Sequence, residues 1–128
     1  MSLRSPLRQV TYLGSAKGGA SHWYAQRVTA VALVLLGLWL VVSLATFGGA
    51  SHDRVVAWLS SPVPAAFAVL LVLVAAWHGL LGLQVVIEDY VGDKGRRMAG
   101  LLVIKFAFAV AAVIGVLAVL RIAFGVAA

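Results

Sequence analysis

One histidine of this sequence lies deep inside a long apolar stretch. His78 follows Trp77 about nine residues before that stretch ends, so helical geometry places it roughly 14 Å from the end. A polar side chain at such depth in a membrane is costly without a partner, and we treat it first as a functional residue. Two interpretations stay open on the residues alone. The imidazole either binds a metal or cofactor, or is satisfied by a hydroxyl or backbone group of a neighbouring helix.

Small residues surround this histidine on one broad helix face. Ala75, Gly79 and Gly82 stand at positions −3, +1 and +4 from His78. Such a surface admits a closely packed second helix, or a flat macrocycle bound through the histidine. Both alternatives remain open at this point.

Three further residues could recognise a polar group at the membrane boundary. Asp89 and Tyr90 follow His78 by eleven and twelve residues, and a continuous helix would place His78 and Asp89 on one face, about 16 Å apart. The alternatives are a solvated helix end for Asp89 and an interfacial aromatic anchor for Tyr90. Arg27, the last charge before the first apolar stretch, is predicted at the depth of Asp89 and Tyr90. It is either a topology charge or the partner of an anionic group.

The elements that must position these residues are three membrane-spanning helices. Hydrophobic residues make up 63% of the 128 residues and charged residues 11%, which is too few charges for a soluble surface. We predict an all-α integral membrane protein with a short cytoplasmic tail over residues 1–27. The transmembrane domain covers 28–128, with helices at about 28–49, 64–89 and 98–124. A short interfacial helix containing Trp58 is expected between the first two.

The distribution of charge predicts the orientation. The tail carries four Lys and Arg residues and the second loop three, whereas the first loop and the C-terminal end carry one each. The positive-inside rule places the tail and second loop in the cytoplasm and the C-terminus in the periplasm. The net charge of +6 therefore indicates membrane orientation, and no nucleic-acid partner is expected. The tail lacks the apolar segment of a cleavable signal.

The chain contains no cysteine. It therefore cannot hold an iron–sulfur cluster, attach a c-type haem covalently or form a disulfide. Any metal or cofactor must be held by His, carboxylate or Met, or by another subunit.

The segment HGLLGLQVVIEDYV, from His78 to Val91, resembles the haem- and quinone-site segment of the succinate dehydrogenase hydrophobic membrane anchor, the D subunit of respiratory complex II. In that family a histidine of the second helix precedes an Asp-Tyr pair by eleven residues, followed by a basic loop and a final helix. The segment His22…Gln26-Arg27-Val28-Thr29-Ala30 is similar to the family's entry into its first helix. The resemblance extends from about Ser21 to the C-terminus.

This resemblance implies roles for individual residues. His78 would be one axial ligand of haem b, with the other ligand supplied by a companion cytochrome b-type membrane subunit, and the three small residues near it would face the haem. Tyr90 would donate a hydrogen bond to ubiquinone in a pocket shaped by Asp89. Arg27 would lie near the haem propionates and the quinone. The resemblance assigns no role to His22.

The implied function is that of a membrane-anchor subunit of succinate:quinone oxidoreductase in a bacterial inner membrane, not an enzyme on its own. Succinate oxidation and iron–sulfur electron transfer would occur in flavoprotein and iron–sulfur subunits docked on the cytoplasmic face. Two alternatives remain, a fumarate reductase anchor that uses menaquinone and a non-redox three-helix scaffold. The quinone species, the number of haems and the physiological direction stay open.

Overall fold

The computed structural model describes residues 14–49 and 51–125. These residues form four helices and, within these ranges, no strand: α1 (Gly14–Thr46), α2 (His52–Leu59), α3 (Pro62–Tyr90) and α4 (Lys94–Ala123). Helices α1, α3 and α4 are long and apolar enough to cross a membrane. The predicted all-α fold with three membrane-spanning helices is confirmed.

Helix α1 begins at Gly14, well before the predicted start near residue 28. No proline interrupts the sequence between Gly14 and Thr46. Once the apolar part of the helix has formed, each added residue gains one hydrogen bond without a new nucleation cost. The second half of the predicted tail is therefore helical, and residues 1–13 of that tail lie outside the described residues.

The connection from α1 to α3 is compact and aromatic. Gly48 and Gly49 end α1. They adopt positive φ angles of 48° and 80°, which residues with a Cβ atom rarely adopt. The expected short helix is α2, and its Trp58 stacks on Trp39 of α1 with ring centroids 5.4 Å apart. Phe47 contacts the same indole edge-on at 5.3 Å. These aromatic contacts fold the connection back against α1.

Local sequence signals fix the starts of the two following helices. Proline occupies the first turn of α3, where its missing N–H costs no helical hydrogen bond. Helix α3 then continues without a break to Tyr90. Asp93 caps α4, and its carboxylate accepts a hydrogen bond of 2.8 Å from the backbone N–H of Arg96.

The three long helices form an open layer with α3 in the middle. Helix α3 packs against α1 on one side and α4 on the other, and the backbones of α1 and α4 do not approach each other within the described ranges. Glycine permits a close approach between α3 and α4: a Cβ atom at Gly115 would lie 2.7 Å from Cγ1 of Val72. Much apolar helix surface therefore stays exposed in the single chain, available to lipid or to further helices.

Candidate functional site

The imidazole of His78 lies at the interface between α3 and α1. Its Nδ1 atom is 2.9 Å from Oγ1 of Thr29, and the contact is half-buried. This hydroxyl is the kind of partner that the second interpretation of His78 predicted. It engages one ring nitrogen only, because within the described ranges no protein group hydrogen-bonds to Nε2. The other nitrogen of the imidazole is therefore available for a ligand.

The Thr29 hydroxyl has partners on its own helix as well. Its Oγ1 lies 2.7 Å from the carbonyl oxygen of Ala25 and 3.1 Å from that of Gln26. Both carbonyls can only accept, so the hydroxyl is the donor in these contacts. Thr29 therefore links the backbone of α1 to the imidazole on α3.

The small residues near His78 do not share one environment. A Cβ atom at Gly79 would lie 2.7 Å from the ring of Phe108, so close packing with α4 accounts for glycine there. Gly82 faces α1, where a Cβ atom would lie 3.5 Å from Nε2 of Gln26. Ala75 is exposed. Helix packing therefore explains Gly79 within this chain, and the role of all three residues toward a haem stays a prediction.

The helix that carries His78 continues through the Asp-Tyr pair, as the spacing required. Because α3 ends at Tyr90, His78 and Asp89 share one helix face. Tyr90 is 85% exposed, and Asp89 is exposed too. Neither residue is among those that line the groove between α1 and α3, and their role toward a quinone stays a prediction.

The predicted depth of Arg27 is wrong. Helices α1 and α3 are consecutive spans of opposite direction, and Thr29 is level with His78. Arg27 therefore lies only two residues from the level of His78, and about 15 Å along the helix axis from Tyr90. The prediction failed because it took Arg27 as the helix boundary, whereas α1 begins at Gly14.

A groove of about 820 Å³ runs between α1 and α3 on the side of His78 that leads to Tyr90. Its walls combine glycines with polar and aromatic side chains. The lining residues are Gly18, Gly19, His22, Trp23, Gln26, Arg27, Gly82, Gln84, Val85 and Glu88. The guanidinium of Arg27 lies 4.8 Å from the ring centre of Trp23, and Gln84 donates a hydrogen bond of 2.8 Å to Glu88.

Two polar atoms of the groove residues are buried without a hydrogen-bond partner in the described part of the chain, Nε2 of His22 and Oε1 of Gln26. Buried polar atoms of native proteins are nearly always paired. A polar partner from outside the described residues is therefore expected beside α1.

Sequence reasoning missed Thr29, Gln26 and the burial of the Nε2 atom of His22. A hydroxyl in an otherwise apolar span was a usable signal for Thr29. The register between α1 and α3, which decides whether that hydroxyl meets His78, depends on packing between residues far apart in sequence. Sequence periodicity does not report it.

The donor set limits which metal centre this chain can serve. Within residues 14–49 and 51–125, no three His, Cys, Asp or Glu side chains come together as a metal site. A single imidazole with one nitrogen available suits a haem, because the macrocycle itself supplies four of the iron ligands. The residues present therefore fit a single ligand position on a haem iron.

These features define a class, multi-pass helical membrane proteins that carry a histidine in the middle of a span beside a polar groove. The family described as succinate dehydrogenase/fumarate reductase transmembrane subunit matches residues 1–115. This chain belongs to that family, and the predicted resemblance is confirmed.

Curated relatives of the chain support the same family membership. The succinate dehydrogenase hydrophobic membrane anchor subunit of Rickettsia bellii (strain RML369-C) is 35% identical over 104 residues, 80% of this chain and 82% of the relative. The subunit of the same name from Paracoccus denitrificans is 32% identical over 108 residues, 84% of each chain. The predicted role as a multi-pass anchor subunit, not an enzyme on its own, is confirmed.

Proposed function

We propose that this chain is the membrane-anchor subunit of a succinate:quinone oxidoreductase, in which it helps bind haem b and forms part of the ubiquinone reduction site. The main support is the imidazole of His78 in the middle of α3. Its Nδ1 contacts the hydroxyl of Thr29, and its Nε2 has no protein partner in the described ranges. The names of the curated relatives support the succinate dehydrogenase complex over a fumarate reductase.

His78 would hold the haem iron through Nε2. The other two histidines differ in setting: His22 lies in the first part of α1, and His52 lies at the start of α2 with 89% of its side chain exposed. A bis-histidine haem therefore requires a second ligand from a companion cytochrome b-type subunit. When bound, the haem supplies a one-electron redox centre inside the membrane.

Arg27 suits the propionate groups of that haem better than the quinone. It lies close to the level of His78 and lines the same groove as His22 and Gln26. A guanidinium forms charge-assisted hydrogen bonds to carboxylates, which are stronger than bonds between neutral groups. The position of Arg27 about 15 Å from the level of Tyr90 argues against a shared contact with the quinone ring.

Tyr90 would donate a hydrogen bond to a quinone carbonyl at the end of α3, with Asp89 beside it. Its 85% exposure leaves the phenol free to contribute one wall of a pocket completed by other subunits. Reduction of a quinone to a quinol consumes two electrons and two protons. The hydroxyl of Tyr90 orients the carbonyl oxygen that is protonated, and the exposed helix end gives it access to water.

The loop and first turn of α4 form the proposed docking face for the iron–sulfur and flavoprotein subunits. Lys94 and Arg96 are exposed there and Arg97 is half-buried. Under the positive-inside rule this face is cytoplasmic and the opposite end of the helices is periplasmic, in a bacterial inner membrane. Succinate-derived electrons would therefore reach the quinone from the same side as Tyr90.

Purification of the intact complex tests this proposal. A tagged copy of this chain should co-purify with a second membrane subunit, an iron–sulfur protein and a flavoprotein. The complex should reduce ubiquinone with succinate and give a b-type absorbance spectrum on reduction. A chain that purifies without redox partners would support the non-redox scaffold instead.

A further inference from the structure

The hydroxyl of Thr29 has a single proton, and its surroundings determine where that proton lies. The 2.7 Å contact with the carbonyl oxygen of Ala25 needs this proton, since two acceptors at that distance would repel each other. Across the helix interface, Oγ1 also lies 2.9 Å from Nδ1 of His78. With its proton committed to the backbone of α1, Oγ1 can only accept from the imidazole.

We infer that Thr29 is a positioning residue that fixes His78 as the tautomer protonated on Nδ1, which leaves the lone pair on Nε2 for the haem iron. This inference rests on the proposed function. In the opposite tautomer, Nε2 would carry the proton and could not ligate a metal, and the lone pair of Nδ1 would face that of Oγ1. The contact therefore selects the tautomer that haem ligation requires.

The same contact sets how strongly the imidazole donates electrons. A hydrogen bond from Nδ1 to an acceptor makes the ligating nitrogen more basic and holds the ring at one angle. A more basic ligand favours the oxidised iron, so Thr29 lowers the reduction potential of the haem and tightens its binding. The link to the carbonyl of Ala25 strengthens the effect, because a hydroxyl that donates to one partner is a better acceptor for another.

The test compares substitutions at Thr29 in the purified holocomplex. Thr29→Val keeps a β-branched side chain and removes the hydroxyl, and Thr29→Ser keeps the hydroxyl. Thr46→Val is the matched control, because Thr46 also bonds its own helix, at 2.6 Å to the carbonyl of Ser43, without contacting a histidine. Haem retention against an apo-protein acceptor and the midpoint potential are measured, so the result does not depend on catalytic turnover.

We expect Thr29→Val to weaken haem retention about 10- to 100-fold, the usual effect of removing a hydrogen-bond partner behind a metal ligand, and to raise the potential. Thr29→Ser and Thr46→Val should retain the wild-type values. If the Val variant does not assemble, Thr29→Ala compared with Thr29→Ser isolates the same hydroxyl.

Wild-type retention and potential in the Val or Ala variant would overturn the inference and leave His78 as ligand. A Ser variant as impaired as the Val variant would also overturn it, since packing and not the hydroxyl would then matter. A wild-type complex without haem would overturn the proposed haem site itself.

Discussion

The imidazole of His78 meets the hydroxyl of Thr29 at 2.9 Å across the interface between α3 and α1, and this contact defines the register of the two helices. One turn further along, Gly82 faces Gln26. The polar groove then follows on the same side, between the first turns of α1 and the end of α3. The pairing brings Arg27 near the level of His78, whereas the sequence predicted it at the depth of Asp89 and Tyr90.

This register can be tested by cross-linking, because the chain has no native cysteine. We expect a short bifunctional thiol reagent to link cysteines introduced by Gln26→Cys and Gly82→Cys. The pair Arg27→Cys and Tyr90→Cys should remain unlinked, because those positions differ by about 15 Å along the helix axis. Peptide mass spectrometry of the purified complex identifies the products. Efficient linkage of the second pair alone would contradict the register.

The close approach of α3 and α4 predicts a specific cost at Gly115. A Cβ atom there would lie 2.7 Å from Cγ1 of Val72, whose side chain is stiff at χ1. Gly115→Ala should therefore lower the free energy of unfolding by about 1–3 kcal/mol, the usual range for an overpacked interface. Thermal unfolding of the detergent-solubilised complex measures the change.

Two further variants separate crowding from other effects at that interface. Adding Val72→Ala to Gly115→Ala should recover stability, because it removes the methyl groups that the new Cβ meets. Gly37→Ala is the control, since nothing lies within 4 Å of a Cβ at Gly37. Equal losses at Gly37 and Gly115 would show that helix contact is not the cause.

The proposed contact of Tyr90 with quinone predicts a selective defect. Tyr90→Phe removes the hydroxyl and keeps the ring at the helix end. A lost hydrogen bond to an uncharged group costs about 0.5–1.5 kcal/mol, so succinate-dependent quinone reduction should fall severalfold. Succinate oxidation with a soluble electron acceptor should be unchanged.

Tyr24→Phe is the matched control for Tyr90, since Tyr24 is also an exposed tyrosine, 66% accessible. It should leave both activities intact. An unchanged quinone rate in Tyr90→Phe would instead make Tyr90 an interfacial anchor, the alternative that the sequence left open.

Features that depend on one helix at a time were predictable from sequence. The three spans follow from apolar length, and the shared face of His78 and Asp89 follows from the helical repeat once α3 is continuous. Features that depend on the packing of two helices were not predictable from sequence. The partner of Gly79 is Phe108 on α4, and the partner of His78 is Thr29 on α1, and both depend on how side chains of distant segments interlock.

The early start of α1 was missed for another reason. The Gly- and Ser-rich residues before His22 have low intrinsic helix propensity, yet the helix extends through them from the apolar span. A boundary drawn at the last charge therefore fell too late, and the depth assigned to Arg27 was wrong with it.

The reduced-minus-oxidised spectrum of the purified complex tests the haem assignment of His78 most directly. The wild-type complex should give a b-type spectrum, and His78→Leu should abolish or strongly alter it, because leucine keeps the span apolar and removes the ligand. His52→Leu, at an exposed histidine of α2, should leave the spectrum unchanged. A wild-type complex without b-type absorbance, or a His78→Leu complex with an unaltered spectrum, would contradict the assignment of His78 as haem ligand.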